Sequence, residues 1–327
     1  MKLTLLIPGL LAPPAPLAEL AAALPPTPAL RRMLAQADHD TLPINGICAT
    51  IASLAELETL PAGALTALAA EEIPGDRWWL RVDPVHLAAD ADGLRLVHGE
   101  VLEVTDDEAA SLTVFLATEL ELPLRRATPT HWYLEREPFA ADTHRPEAVL
   151  GRRIEPLLPS GPDGDALRRW LNEVQMLLHA HPVNLRRADR GQHAINSIWP
   201  WGGGKLGAPG RWSYSMTLAD DPALVGLALR HGGEAGAGPR GLAQVPTTGH
   251  NLVRLDEVYE ATRLGDVERW LSALAGLERD WFAPARAMLA DGALEEFVVL
   301  DCAGNRFTLR PLMRWRFWRG EHGLEAD

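Results

Sequence analysis

Ile195–Gly207 reads INSIWPWGGGKLG, an apolar run whose tryptophans lead into three glycines and a lysine. A phosphate-cradling loop needs G-x-x-x-x-G-K-[ST], so that its amides wrap phosphates and its hydroxyl holds magnesium. Here Lys205 is followed by Leu206 and the glycine spacing differs, which argues against a nucleotide P-loop. Two readings stand. Residues without Cβ let the backbone pass the indoles of Trp199, Trp201 and Trp212. Alternatively, the stretch is a corner loop that follows the strand HAINSIW (193–199) and lines a cleft between domains.

Outward from this strand, strand-like and helical pieces alternate. LTLLI (3–7), DRWWLRVDPVHL (76–87, entering a turn at Asp83-Pro84), GLRLVHG (93–99), THWYLER (130–136) and ALVGLALR (223–230) read as strands. EEFVVLD (295–301) and RFTLR (306–310) read as a closing hairpin. LAELAAAL (17–24), PALRRMLAQA (28–37), ELETLPAGALTALAA (56–70) and DVERWLSALAGLERDWFAPARAML (266–289) read as helical. So does 105–120, where Thr105 can cap and Asp106, Asp107 and Glu108 suit the positive helix end. In DALRRWLNEVQMLLHAH (165–181), Leu167, Trp170, Leu171, Val174, Leu177 and Leu178 share one helical face. The alternation predicts an α/β fold, a mostly parallel sheet covered by helices on both faces.

The chain has 327 residues and a formal net charge of −13. An acidic body disfavours nucleic acid and anionic membranes, and leaves a small anion possible only in a locally basic pocket. Its cysteines, Cys48 and Cys302, are too few for a disulfide framework, so a reduced, cytoplasmic setting is expected. Pro8 and Gly9 break the first apolar run, which reads as a buried strand rather than a signal peptide.

Several segments carry chemistry. HAHPVNLRRADRG (179–191) gathers Arg186, Arg187 and Arg190, whose paired N–H donors suit phosphate or carboxylate. A solvated basic turn paired with acids is the plainer alternative. His179 and His181 are two apart and diverge on a helix, which is poor spacing for a metal. DPVHLAADAD (83–92) offers Asp83 and His86 as weak metal or acid–base candidates, although ADADG reads as a hairpin tip. No G-x-S-x-G elbow and no C-x-x-C pair is present.

The segment HPVNLRRADRGQHAINSIWPWGGGKLGAPG (181–210) resembles the archaeal-type cofactor-independent phosphoglycerate mutases of the alkaline phosphatase superfamily. In those enzymes a similar asparagine, arginine and glycine run leads into a strand and a tryptophan–glycine loop. Collinear likenesses lie at GDRWWLRVDPVHLAADADGLRL (75–96), EVTDDEAASLTVFL (103–116) and LVGLALRHGG (224–233). The resemblance extends to degenerate bacterial regulatory proteins of the RpfE type. It implies an alkaline-phosphatase-like core, residues 1–85 and 200–327, with a smaller α+β domain, 86–199, inserted.

The resemblance also implies a two-metal site, and here the chain departs from the pattern. The first strand ends Ile7-Pro8-Gly9 rather than in an Asp-Gly metal site, and the late strand ends with Asp301 beside Cys302 rather than in Asp-His. The nucleophile region falls at NGICATIAS, where Cys48, Thr50 and Ser53 are the stand-ins. The metal segment retains only His250 and Asp256. Too few ligands remain for two divalent ions, so no cofactor is expected; Mn, Zn or Mg is required if the chain is instead an active mutase or phosphohydrolase. The anion-recognising set carried over is Asn184, Arg186, Arg187, Arg190, Trp201, Gly202, Gly203, Gly204 and Lys205. The expected role is regulatory, with a small phosphorylated or carboxylated metabolite or a partner protein bound. A third possibility is an interaction module acting through the tail Arg314, Trp315, Arg316, Phe317, Trp318 and Arg319, although a terminal helix docking its indoles on the core is the plainer reading of that tail.

Overall fold

The computed structural model describes residues 1–14, 19, 23–72, 74–90, 93–316, 318–320 and 323–324. The helix expected over 17–24 falls largely outside these residues, as do Phe317 and the hairpin tip at 91–92. The strands, in chain order, are β1 Lys2–Leu6, β2 Asp38–Thr41, β3 Trp79–Asp90, β4 Gly93–His98, β5 Leu124–Arg126 and β6 Trp132–Glu135. They continue with β7 Ser197–Gly204, β8 Met216–Leu218, β9 Glu234–Gly236, β10 His250–Arg254, β11 Glu296–Leu300 and β12 Asn305–Leu309. The chain divides into two units, Met1–Thr59 with Pro209–Asp327, and Leu60–Ala208. The boundaries expected at 85/86 and 199/200 would cut β3 and β7. Both strands are continuous hydrogen-bonded elements of one sheet, so the division moves outward to loops.

The first unit is built on a sheet of order β2-β12-β11-β1-β10-β8-β9. Strands β11, β1, β10, β8 and β9 run parallel, while β12 and β2 close one edge antiparallel. Alternate residues Leu3, Leu5 and Ile7 of the first strand and Phe297 and Val299 of β11 share one buried face. Onto it pack helices Pro28–Gln36, Val267–Leu277 and Ala283–Asp291, through Leu30, Trp270 and Leu289. The central β1 has β10 on one side and β11 on the other, so the strand order reverses here. The carboxyl ends beside such a point are where open α/β sheets place ligand sites.

The second unit holds an antiparallel sheet, β4-β3-β6-β5, with β7 on β3. Trp79 and Arg81 pair with both β6 and β7, and Val85 pairs with both β4 and β7. β4 and β6 therefore share the edge opposite β7, with the pairing on that edge broken off between them at Val82–Pro84, where β3 stays paired with β7. One face buries Leu80, Val82 and Leu134 against helices Asp106–Glu119 and Gly164–His179. The other packs Trp79 and Tyr133 against helix Ala62–Ala69.

Three local expectations change. ALVGLALR is a helix, Pro222–Arg230: Asp221 accepts from the Ala223 N–H at 2.8 Å and Pro222 sits in the first turn. Asp83-Pro84 is not a turn but lies mid-strand, with Pro84 opposite Ile198. WPWGGG is not a corner loop but the last six residues of β7. Its glycines permit close packing. A Cβ on Gly203 would lie 2.3 Å from the Trp78 ring, and one on Gly204 would lie 2.8 Å from Pro61 Cβ.

Candidate functional site

The carboxyl edge of the first sheet gathers a closed charge cluster. Arg254 ends β10. Its Nε and Nη2 donate to Asp256 Oδ1 at 2.9 and 2.7 Å, and its Nη1 donates to Asp221 Oδ2. Asp221 follows β8, and its other carboxylate oxygen caps the helix Pro222–Arg230. Arg254 and Asp221 are buried, at 7% and 5% exposure. Burial raises the Asp256 carboxyl above its usual range, and the adjacent Arg254 opposes that shift.

Asp301, from the same edge, is engaged elsewhere. Its carboxylate accepts from the Ala303 and Asn305 amides at 2.8 and 2.9 Å and from Asn305 Nδ2 at 2.7 Å. It thereby holds the turn of the β11–β12 hairpin. Its neighbour Cys302 is buried, and desolvation pushes its thiol up to about 12, which leaves it protonated and a poor nucleophile. Thr50 donates from Oγ1 to the Gly46 carbonyl at 2.9 Å within helix Ile47–Leu54; Cys48 is half-buried on that helix, and Ser53 is exposed. His250 begins β10 at the amino end of the sheet, bonded through Nε2 to Thr4 Oγ1 at 3.2 Å, and so lies away from the carboxyl edge. Burial lowers its pKa.

These residues do not fit a two-metal centre. Among the described residues no group of three or more His, Cys, Asp or Glu is placed to hold a metal ion. Asp221 and Asp256 face a guanidinium, and Asp301 faces its own turn. Arg254 and Asp221 were not singled out from sequence. The available signals were an arginine inside the buried run HNLVRL and the Asp-Pro of a helix start.

The anion-recognising set is scattered over the second unit. Asn184 is buried and bridges helix Pro182–Asp189 to the strand side. Its Nδ2 donates to Leu178 O and Ile195 O at 2.9 and 2.8 Å, and its Oδ1 accepts from Ile195 N at 2.7 Å. Arg187, 1% exposed, donates to Glu108 Oε2 at 2.7 Å, to His193 O at 2.7 Å and to the Leu102 carbonyl. Arg186 and Arg190 are exposed. Lys205 is exposed, 3.8 Å from Asp76. Trp201 donates from Nε1 to Asp83 Oδ2 at 2.7 Å.

Asp83 is thus the hub of a second internal cluster rather than a metal candidate facing solvent. Arg81 donates to its Oδ1 at 2.8 and 2.6 Å, and the Arg81 guanidinium lies 5.2 Å from the Tyr133 ring and 5.1 Å from the Trp201 ring. Arg145 covers Trp201 at 4.9 Å. His86 is set apart, with Nδ1 on Ala194 O at 2.8 Å and its ring 4.8 Å from that of His193.

His98, at the end of β4, and His131, just before β6, flank the gap in the edge pairing along β3. Burial is the main cause that holds both below the ordinary histidine value of 6.5; Glu147 and Asp83 oppose it, and Arg81 adds to it. Below about pH 6.5 the unfolded chain therefore binds protons that the folded chain refuses. Stability is full above that value and falls on acidification. The urea midpoint of the full chain is expected to drop between about pH 7.5 and about pH 5, and less steeply in a His98→Gln, His131→Gln double variant.

The architecture is an α/β fold of the alkaline-phosphatase type. The PH0037 protein from Pyrococcus horikoshii shares it, with a TM-score of 0.52 at 15% identity over 94% of this chain and 86% of that one. Within this fold, segments of the chain are phosphoglycerate-mutase-like. The 2,3-bisphosphoglycerate-independent phosphoglycerate mutase of Methanosarcina barkeri is 37% identical over 93 residues, 27% of this chain and 23% of the relative. That of Methanothrix thermoacetophila is 30% identical over 149 residues, 39% and 38% of the two chains. The chain thus matches well under half the length of these curated relatives. No family model matches. Among the described residues no helix is long and apolar enough to cross a membrane.

Proposed function

We propose that this chain is a phosphoglycerate-mutase-like protein that has lost dimetal phosphoryl transfer and acts by binding. Its ligand is a small phosphorylated or carboxylated metabolite, or its partner is a regulatory protein, as in the RpfE-type resemblance. The observation that carries this reading is Arg254 between Asp221 and Asp256. A guanidinium pairs with both carboxylates, but it cannot offer the open coordination positions with which a pair of ions stabilises attacking and leaving oxygens. Arg186, Arg190 and Lys205 are the cations of the anion-recognising set that face water.

The test is metal analysis of the full chain after incubation with Mn²⁺, Zn²⁺ or Mg²⁺ and desalting, beside a coupled assay of phosphoglycerate interconversion. Substoichiometric metal and no chelator-sensitive turnover are expected. Two ions per chain with turnover abolished by chelator would establish the alternative, an active mutase or phosphohydrolase.

A protein-interaction reading is favoured by the C-terminal segment. Arg316 is tied to Asp38 at 2.7 Å and Arg319 to the Ala37 carbonyl at 2.7 Å, while Trp315 and Trp318 remain 61% and 70% exposed. The indoles are not docked in the core, and aromatic side chains of this kind anchor interfaces.

A further inference from the structure

The second unit contains a cavity of about 540 Å³ that takes no part in the clusters above. Helix Gly164–His179 contributes Arg168, Arg169, Asn172 and Gln175 to its lining. Leu87, Leu94, Leu158 and Trp199 supply apolar surface. The volume is in the range that encloses a small organic molecule, about 300–1,000 Å³.

The polar groups divide into engaged and unengaged. Arg168 donates to the Pro159 carbonyl at 2.7 Å and to the Asp165 carboxylate. Asn196, also in the lining, has both amide atoms on the Leu87 backbone, at 2.8 and 3.0 Å. Arg169, Asn172 and Gln175 have no side-chain partner among the described residues. Asp165 answers the charge of Arg168, so the guanidinium of Arg169 is the cavity's one unbalanced charge among the described residues.

We infer that this cavity binds an amphipathic monocarboxylate. The carboxylate is met by the paired donors of Arg169 and the amide groups of Asn172 and Gln175. The apolar body lies along Leu94, Leu158 and Trp199. A phosphate head carries about two charges against this single unbalanced cation. The cavity lies wholly within Leu60–Ala208, so this inference does not depend on the reading of the carboxyl edge in the other unit.

The test is calorimetric titration of the full chain with decanoate, decanol and decyl phosphate. Saturable one-to-one binding of decanoate is expected, weakened about tenfold or more by Arg169→Ala, the scale of one charge-assisted hydrogen bond. Decanol is expected to bind weaker by a similar factor. Arg169 is exposed and unpartnered, so its variant keeps the fold. Gln175→Glu, which places a like charge on the wall, is a second variant expected to weaken decanoate. No saturable binding at millimolar decanoate, unchanged affinity in both variants, or tighter binding of decyl phosphate than of decanoate overturns the inference.

Discussion

Arg254→Ala is expected to lower the unfolding free energy by about 3–5 kcal/mol, the scale for removing one partner of a buried ion pair. The carboxylates of Asp221 and Asp256 would then face each other without a counter-charge. Like charges raise carboxyl pKa values, so the folded variant takes up a proton that the unfolded chain releases. Its deficit is therefore largest near neutral pH and shrinks on acidification toward about pH 5. Urea unfolding at the two pH values, read as midpoint and slope, measures both effects. Arg254→Lys keeps the charge but loses the fork that reaches both aspartates, and falls between the two. A variant as stable as the parent at neutral pH would show that the cluster carries no structural charge balance, and would remove the observation behind the proposed function.

Arg187→Ala is expected to cost a similar amount, about 3–5 kcal/mol, for a different set of orphans. It leaves the Glu108 carboxylate and the carbonyls of Leu102 and His193 without their donor in a buried setting. Glu108 also closes the N-terminal cap of helix Asp106–Glu119, accepting from the Thr105 amide at 3.2 Å. The loss therefore reaches the helix start. A double-mutant cycle with Glu108→Gln separates pair from cap, and a coupling above about 0.5 kcal/mol is expected for residues in one network. If Arg187 instead grips a soluble anion, its removal lowers anion affinity and leaves the unfolding midpoint in place.

Arg187 illustrates what sequence reading can and cannot reach here. Local signals were legible. The hairpin across AGN, the Thr105 cap and the helical face of Leu171, Val174 and Leu178 depend on neighbours within a few residues. The partner of Arg187 is Glu108, seventy-nine positions away, and nothing local distinguishes an inward from an outward guanidinium. Arg186 and Arg187 are adjacent in sequence and opposite in fate: one exposed, the other 1% exposed. ALVGLALR failed for a related reason. A short apolar run suits a buried strand or a buried helix equally, and the deciding feature was the cap at Asp221. Asp83-Pro84 failed because β7 accepts a proline in the middle of β3, where turn statistics point the other way. At the carboxyl edge, Asp256 and Asp301 were visible in sequence as candidates. What stands between the remaining aspartates was not.

The positive charge at that edge belongs to the polypeptide itself. A bound ion exchanges with its surroundings, competes with other ions and can be stripped by a chelator. Arg254 is a covalent part of the chain and has no off-rate. The charge that Arg254 brings to this sheet edge is thus laid down at translation.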